Sequence, residues 1–276
     1  MNLSSRPLAL SLALLVLGTR PAAAAAASAP AAAPTDAMPD VVGLRPGISP
    51  QEAYNFLAAY DRSAAVYVSD TSLPPAGPKP TPVAIAMAQD ATAAEKIQAD
   101  LTLPPLRQTV WRVARHLQFA QGKQTTIQNV IATLRTKYGP EAWMPSGRMI
   151  MLTWYFDERG RRVNLPGGAQ PANCAGKTGP TVPLWGIPAG HGAPYPLIQP
   201  LPVSEQEEIC RSVVVVYATA NPGIDERLVG SLDVVIADLP LETRAHRATV
   251  QMLADAAAGQ QQKELDRASQ QSGPKL

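Results

Sequence analysis

Residues Ser49-Pro50-Gln51-Glu52 constrain this chain more tightly than any other stretch. A serine placed as an N-cap offers its hydroxyl to the backbone N–H of the third helical residue. A glutamate at that third position returns its carboxylate to the serine's own N–H. Proline between them stands at the first helical position, where its missing N–H costs nothing. Ala53, Phe56, Leu57 and Tyr60 then recur at i, i+3, i+4 and i+7, one apolar face of a helix. Upstream, Val41 and Val42 open an apolar run suited to a strand, and Gly43 and Gly47 bracket a turn. Asp40 to Tyr60 is thus expected as strand, turn and helix, with a helix face that needs a sheet to cover it. It contains no nucleophile and no ligand cluster, so its role is packing.

A looser copy follows at Thr125. Thr125 is expected as N-cap, with Gln128 three residues on. Ile127, Val130, Ile131, Leu134 and Tyr138 form the stripe, and Gly139-Pro140 supplies the stop. Strands are expected at Ala64–Ser69, at Pro82–Ala88 and, most clearly, at Gln108–Phe119. In the last of these Trp111, Val113, Leu117 and Phe119 share a face, Arg115 is the exception, and Arg112, His116 and Gln118 take the solvated side. Residues 73–82 carry five prolines and read as a loop. Ala91–Asp100 reads as a short helix. Arg148–Asp157 is a strand with Ile150, Leu152, Trp154 and Phe156 on one face, and Glu158-Arg159-Gly160 turns it into a hairpin. Val213–Tyr217 is a β-branched run suited to a central strand, and Leu228–Ile236 alternates again. Asp238 and Pro240 open a C-terminal helix reaching toward Arg267, with exposed last turns.

The pattern sums to an α+β fold: two helices packed on a mostly antiparallel sheet, with a C-terminal helix. Two capped helices, each with its own strands, point to two related helix-plus-sheet units, 40–120 and 121–239, within one domain over 40–239. Residues 240–276 are the C-terminal helix and a Gln-rich tail.

The run Gly-Leu-Arg-Pro-Gly-Ile-Ser-Pro-Gln-Glu-Ala, residues 43–53, resembles the helix start of small bacterial envelope domains. These include the SmpA/OmlA outer-membrane-assembly lipoproteins and the β-lactamase-inhibitor-protein-like domains. Ile48 stands where those families usually carry Met. The Lys-Tyr-Gly ending at 137–139 also looks like their helix ends. The resemblance implies helices on one face of a small antiparallel sheet, and a protein that binds other proteins rather than catalysing.

The N-terminus reads as a secretory signal over 1–25. Arg6 gives a positive start, Leu8–Leu17 is an apolar core too short for an ordinary spanning helix, and small residues follow Pro21. No cysteine lies near the cleavage region, a departure from the lipoproteins. An Ala/Pro linker fills 26–39. The chain carries 24 basic and 22 acidic residues. Loss of Arg6 and Arg20 with the signal leaves a near-neutral protein, which gives no electrostatic case for nucleic acid or an anionic membrane.

Cys174 and Cys210 in an exported chain read as one structural disulfide, the alternative being two independent thiols. Such a bridge would contribute about 3–4 kcal/mol through the unfolded chain. Residues 164–203 hold seven glycines and nine prolines and read as one long loop. It carries Trp185, His191 and Tyr195. One reading makes these a preorganised binding surface, since Trp and Tyr often anchor interfaces. The other has the aromatic groups cover a sheet edge and bind nothing. The sequence shows no G-x-S-x-G, H-E-x-x-H, P-loop or dinucleotide fingerprint, so no cofactor and no metal is expected. The function expected is an exported, periplasmic or secreted binding module whose partner is another envelope protein. The alternative is a metal-independent hydrolase or transferase using His191 or His116 with an acid, Asp157 and Glu158 being the candidate partners of His191.

Overall fold

The computed structural model describes residues 38–73, 77–88, 94–142, 150–164, 212–223 and 225–271. Among them, three helices and seven strands form an α+β fold. In chain order they are α1 (Pro50–Tyr60), β1 (Ala65–Leu73), β2 (Gly77–Ala88), β3 (Glu95–Leu101), β4 (Val110–Gln118), α2 (Ile127–Tyr138), β5 (Ile150–Phe156), β6 (Val214–Pro222), β7 (Val229–Asp238) and α3 (Leu239–Ser269). The strands make one sheet in the order β1-β2-β3-β4-β7-β6-β5, and every pairing is antiparallel. Each of the first two helices precedes a meander. The two meanders run inward from opposite edges and meet where β4 pairs with β7.

The first helix starts as its residues dictate. Ser49 N donates to Glu52 Oε2 at 2.8 Å, and Glu52 N donates back to Ser49 Oγ at 3.2 Å. An 11-residue helix is marginal alone. Burial of Ala53 and Leu57, both without exposed surface, is what holds it. The turn before it is sewn to the sheet: Gly47 N donates to Val110 O, and Val110 N to Ile48 O. Val41 and Val42 are not in a strand. Val41 and Leu44 exchange backbone hydrogen bonds at 2.7 and 2.9 Å around a two-residue turn, Val42-Gly43. The second helix is capped by Thr126, whose hydroxyl accepts from Asn129 N, one residue later than expected. Thr125 instead gives its carbonyl to Val229 N at the start of β7. Gly139, at φ 79°, closes the helix as expected, with its N–H on Arg135 O.

Both faces of the sheet are covered. On one face α1, α2 and the Val41–Leu44 turn bury Ile85, Met87, Ile97, Val113, Leu152, Trp154, Val216 and Ile236. On the other, the first turns of α3 pack on Trp111, Tyr155, Val215 and Ala237, and Leu253 reaches Leu73, Val83 and Leu103.

Three expectations are corrected here. Residues 95–101 form β3, not a helix. The helix-favouring Ala, Glu, Lys and Gln are overridden because Ile97, Ala99 and Leu101 bury one face between two antiparallel neighbours. The proline-rich run is not all loop, since β2 begins at Gly77. Pro82 turns its carbonyl away from β1, to Gln108 Nε2 at 2.8 Å, and Pro78 and Pro80 lie between Gly77 and Thr81, where the pairing with β1 shifts register and leaves them without a partner residue in β1. Their missing N–H groups are therefore not asked for by β1. Finally, Trp111 parts from Val113. Asp100 pairs with Arg112 and Leu101 with Val110, so Trp111 is the extra residue of a bulge and moves to the α3 face. Arg112 follows it and is fully buried rather than solvated, because α3 covers that face.

Candidate functional site

Helix α1 lies over β1, β2 and β3, and α2 packs against β6. The central strands β4 and β7 are left as the floor of a groove between them. Leu117 and Phe119 from β4 and its extension, with Leu232 and Val234 from β7, make the floor; Val41 and Val42 form one wall and Val130, Leu134 and Tyr138 of α2 the other. The cavity is about 310 Å³, and its surface is mainly apolar. Arg115 and Lys137 are the two charged residues of the lining.

Both cations are held in place. Arg115 Nε donates to Glu95 Oε1 at 2.6 Å, and the same oxygen accepts from Tyr60 Oη at 3.0 Å. Burial and that hydrogen bond push the Tyr60 phenol up, so it stays a donor. Lys137 Nζ donates to Asp40 Oδ1 at 2.8 Å and stands 5.4 Å from the centre of the Tyr138 ring. Asp40 Oδ1 also accepts from Gly43 N at 2.6 Å. Tyr138 Oη donates to Asp40 O at 2.7 Å, and burial pushes that phenol well up. Beneath it, Trp154 Nε1 donates to Gly139 O at 2.8 Å, with its ring 5.2 Å from Tyr138. One aspartate thus ties the turn, the lysine and the end of α2 together.

The wall is strained. Val42 adopts φ 51° and Gly43 φ 94°, so both central residues of the turn lie in the left-handed region. Glycine enters it freely; a β-branched residue does so at a cost. Val42 is half-buried at the groove. Residues held in such conformations gather at binding sites, where the surrounding structure over-determines them.

Of the residues singled out in the sequence, Trp185, His191 and Tyr195 lie outside the described residues, as do Cys174 and Cys210. His116 lies on the opposite face of the sheet from the groove, with Nδ1 2.8 Å from Asp233 Oδ1 across the β4–β7 pairing. Asp157 and Glu158 have partners other than histidine: Asp157 accepts from Arg161, and Glu158 from Arg244 at 2.9 Å. Among the described residues no group of three His, Cys, Asp or Glu side chains stands close enough to hold a metal ion. Sequence reasoning missed the groove as a site. Its one signal was Arg115, the charged exception on an otherwise apolar strand face.

Compared with family models, curated proteins and solved structures, the chain matches none.

Proposed function

We propose that the chain is an exported, non-catalytic protein-binding module of the bacterial envelope, periplasmic or secreted, and that its groove receives a segment of a partner protein. The observation that carries this reading is the groove's build. It has an apolar floor of Leu117, Phe119, Leu232 and Val234, a strained wall at Val42, and two fixed cations, with no carboxylate in its lining. An apolar anchor flanked by a carboxylate has the complementary chemistry: the anchor fills a dehydrated pocket and the carboxylate meets Arg115 or Lys137. Export is supported by Arg6 and the Leu8–Leu17 apolar run. Among the described residues no helix is long and apolar enough to cross a membrane. The resemblance of residues 43–53 to the SmpA/OmlA and β-lactamase-inhibitor-like domains supports the same reading, because that stretch leads from the groove wall into α1. One disulfide between Cys174 and Cys210 belongs to the proposal, and so do partner contacts from Trp185 and Tyr195.

A photo-crosslinking residue placed at Phe119 in the mature chain tests the site. Adducts with an envelope protein are expected from position 119 and not from Gln118, which points to the other face. Equal adducts from both positions would remove the groove.

A second reading, metal-independent hydrolase or transferase chemistry, is favoured by one observation, the His116–Asp233 pair. Thr219 stands opposite Asp233, and Lys96 opposite His116. A carboxylate that orients an imidazole through Nδ1 is an arrangement used in general acid–base catalysis. His116→Gln abolishes turnover on this reading while leaving the fold intact. Any substrate turned over equally by the variant eliminates it.

A further inference from the structure

The two edges of the sheet are finished differently. At β5 the chain covers its own outer backbone groups: Val163 N donates to Tyr155 O at 2.9 Å, and Ala142 N to Thr153 O at 2.8 Å. At the β1 edge no such bond reaches residues 65–69 among the described residues. Which of their groups point outward follows from the registers. Gln118 N donates to Ala94 O, so Ala114 and His116, in step with Gln118, turn their backbone groups to β3. The alternation carries through the unbroken pairings of β3 with β2 and of β2 with β1. It turns Tyr67 to Ala86 and leaves the N–H and C=O groups of Val66 and Val68 facing away from the sheet.

Edge strands are ordinarily blunted by lysine, proline or a bulge. Residues 65–69, Ala-Val-Tyr-Val-Ser, carry no charge and no proline, and their pairing with β2 shifts only beyond Ser69. Their side chains are apolar and open: Tyr67 is 40% exposed and Val68 46%. A further exposed aromatic joins them. In α1, Phe56 lies against Gly43 and Tyr60 reaches Glu95, both on the groove side, so the exposed Tyr54 takes the opposite flank, toward β1. Two charges flank the strand, Arg62 four residues before Val66 and Asp70 four residues after it. Neither has an ion-pair partner among the described residues.

We propose that β1 pairs antiparallel with β1 of a second copy of this chain about a two-fold axis, joining two sheets into one. An axis at Val66 fits the chain's own residues. Each Val66 exchanges both backbone hydrogen bonds with its mate, and each Val68 N–H meets the partner's Ala64 carbonyl. On the α1 face, where Val66 packs in the core, Val68 lies against the partner's Ala64; on the other face Tyr67 covers the partner's Ala65. The same axis sets Arg62 of each copy opposite the partner's Asp70, so charges left unpaired within one chain answer each other between two. This self-complementarity favours a second copy over an unrelated strand. A ladder this short gives an interface at the small end of the range, hence a micromolar rather than a nanomolar dimer. The edge is independent of the groove: β1 lies three strands from β4, and failure of the pairing would leave the protein-binding reading untouched.

The test follows the mass of the full mature chain by sedimentation from submicromolar to near-millimolar concentration. A reversible monomer–dimer equilibrium is expected. Arg62→Asp and Asp70→Arg, each alone, set like charges opposite one another and weaken association about tenfold. Mixed in equal amounts, the two variants recover native affinity, because the heterodimer restores both pairs. Val68→Pro removes an N–H that faces away from β2, so it dissociates the dimer in a chain whose far-ultraviolet dichroism matches the native one. In amide exchange, Val66 and Val68 gain protection as the concentration rises, whereas Tyr67, bonded to β2, is protected throughout. A single monomeric mass over the whole range would overturn the proposal and leave the edge to a strand of another protein. A dimer undiminished in Val68→Pro, or mixed charge variants that fail to recover, would overturn it as well.

Discussion

Val42 and Gly43 set the wall of the groove because the chain must turn there within two residues at positive φ. Gly43→Ala places a Cβ 3.2 Å from the Phe56 ring and forces alanine to φ 94°. It lowers stability by about 1–2 kcal/mol, read as a shift of the denaturation midpoint at unchanged slope. Ser49→Ala removes one cap and costs about 1 kcal/mol by the same measurement. Asp238 behaves differently. It caps α3 by accepting from Leu241 N at 2.8 Å, yet burial pushes its carboxyl above the usual range. A carboxyl whose folded pKa is raised binds more protons folded than unfolded, so its contribution is complete below the unfolded pKa. That contribution is lost as pH rises through the folded pKa. Asp238→Asn keeps the cap without the charge. The stability of the native chain relative to this variant therefore falls across that window and is flat above it. Equal pH profiles of melting temperature would contradict the assignment.

At the scale of elements, local signals were read well and long-range ones poorly. The Ser49–Glu52 capping box of α1, the Gly139 stop, the β5 face and the Asp238 start of α3 are set by residues within a few positions of one another. Their patterns were legible. Residues 95–101 were not, because nothing in Glu-Lys-Ile-Gln-Ala-Asp-Leu says that strands will flank it on both sides. The Trp111 bulge escaped for the same reason: strict alternation places Trp111 with Val113, and only the partner strand shows the extra residue. The groove itself depends on β4 meeting β7 across more than a hundred residues, a pairing that no short window contains. Arg112 shows the energetic side. It is fully buried, donates to Asp100 Oδ2 at 2.7 Å, and leaves Nε and Nη2 without a partner. Gln98 donates to the other oxygen of Asp100. Arg112→Met strands a buried carboxylate and costs about 3–5 kcal/mol, whereas the double change with Asp100→Leu recovers most of it. Additive losses in a double-mutant cycle would show that the pair is not coupled.

Across the whole molecule, two meanders close into one sheet with helices on both faces. The groove faces one side, and the first turns of α3 cover the other. The second half of α3 takes no part in that core: residues 257–270 are exposed throughout. Truncation after Ala256 is expected to leave the melting temperature within a degree or two, since little buried surface is lost. A large fall would mean that this half of α3 packs in solution. The groove is the proposed protein-docking site. Its most direct test is the affinity of the mature chain for its captured envelope partner, measured beside Leu117→Ser/Phe119→Ser. Both positions are half-buried in the floor, so the change empties the groove's apolar surface while the surrounding core remains. The account predicts at least a tenfold loss of affinity in a variant whose far-ultraviolet dichroism matches the native chain. Undiminished affinity in that folded variant would contradict it.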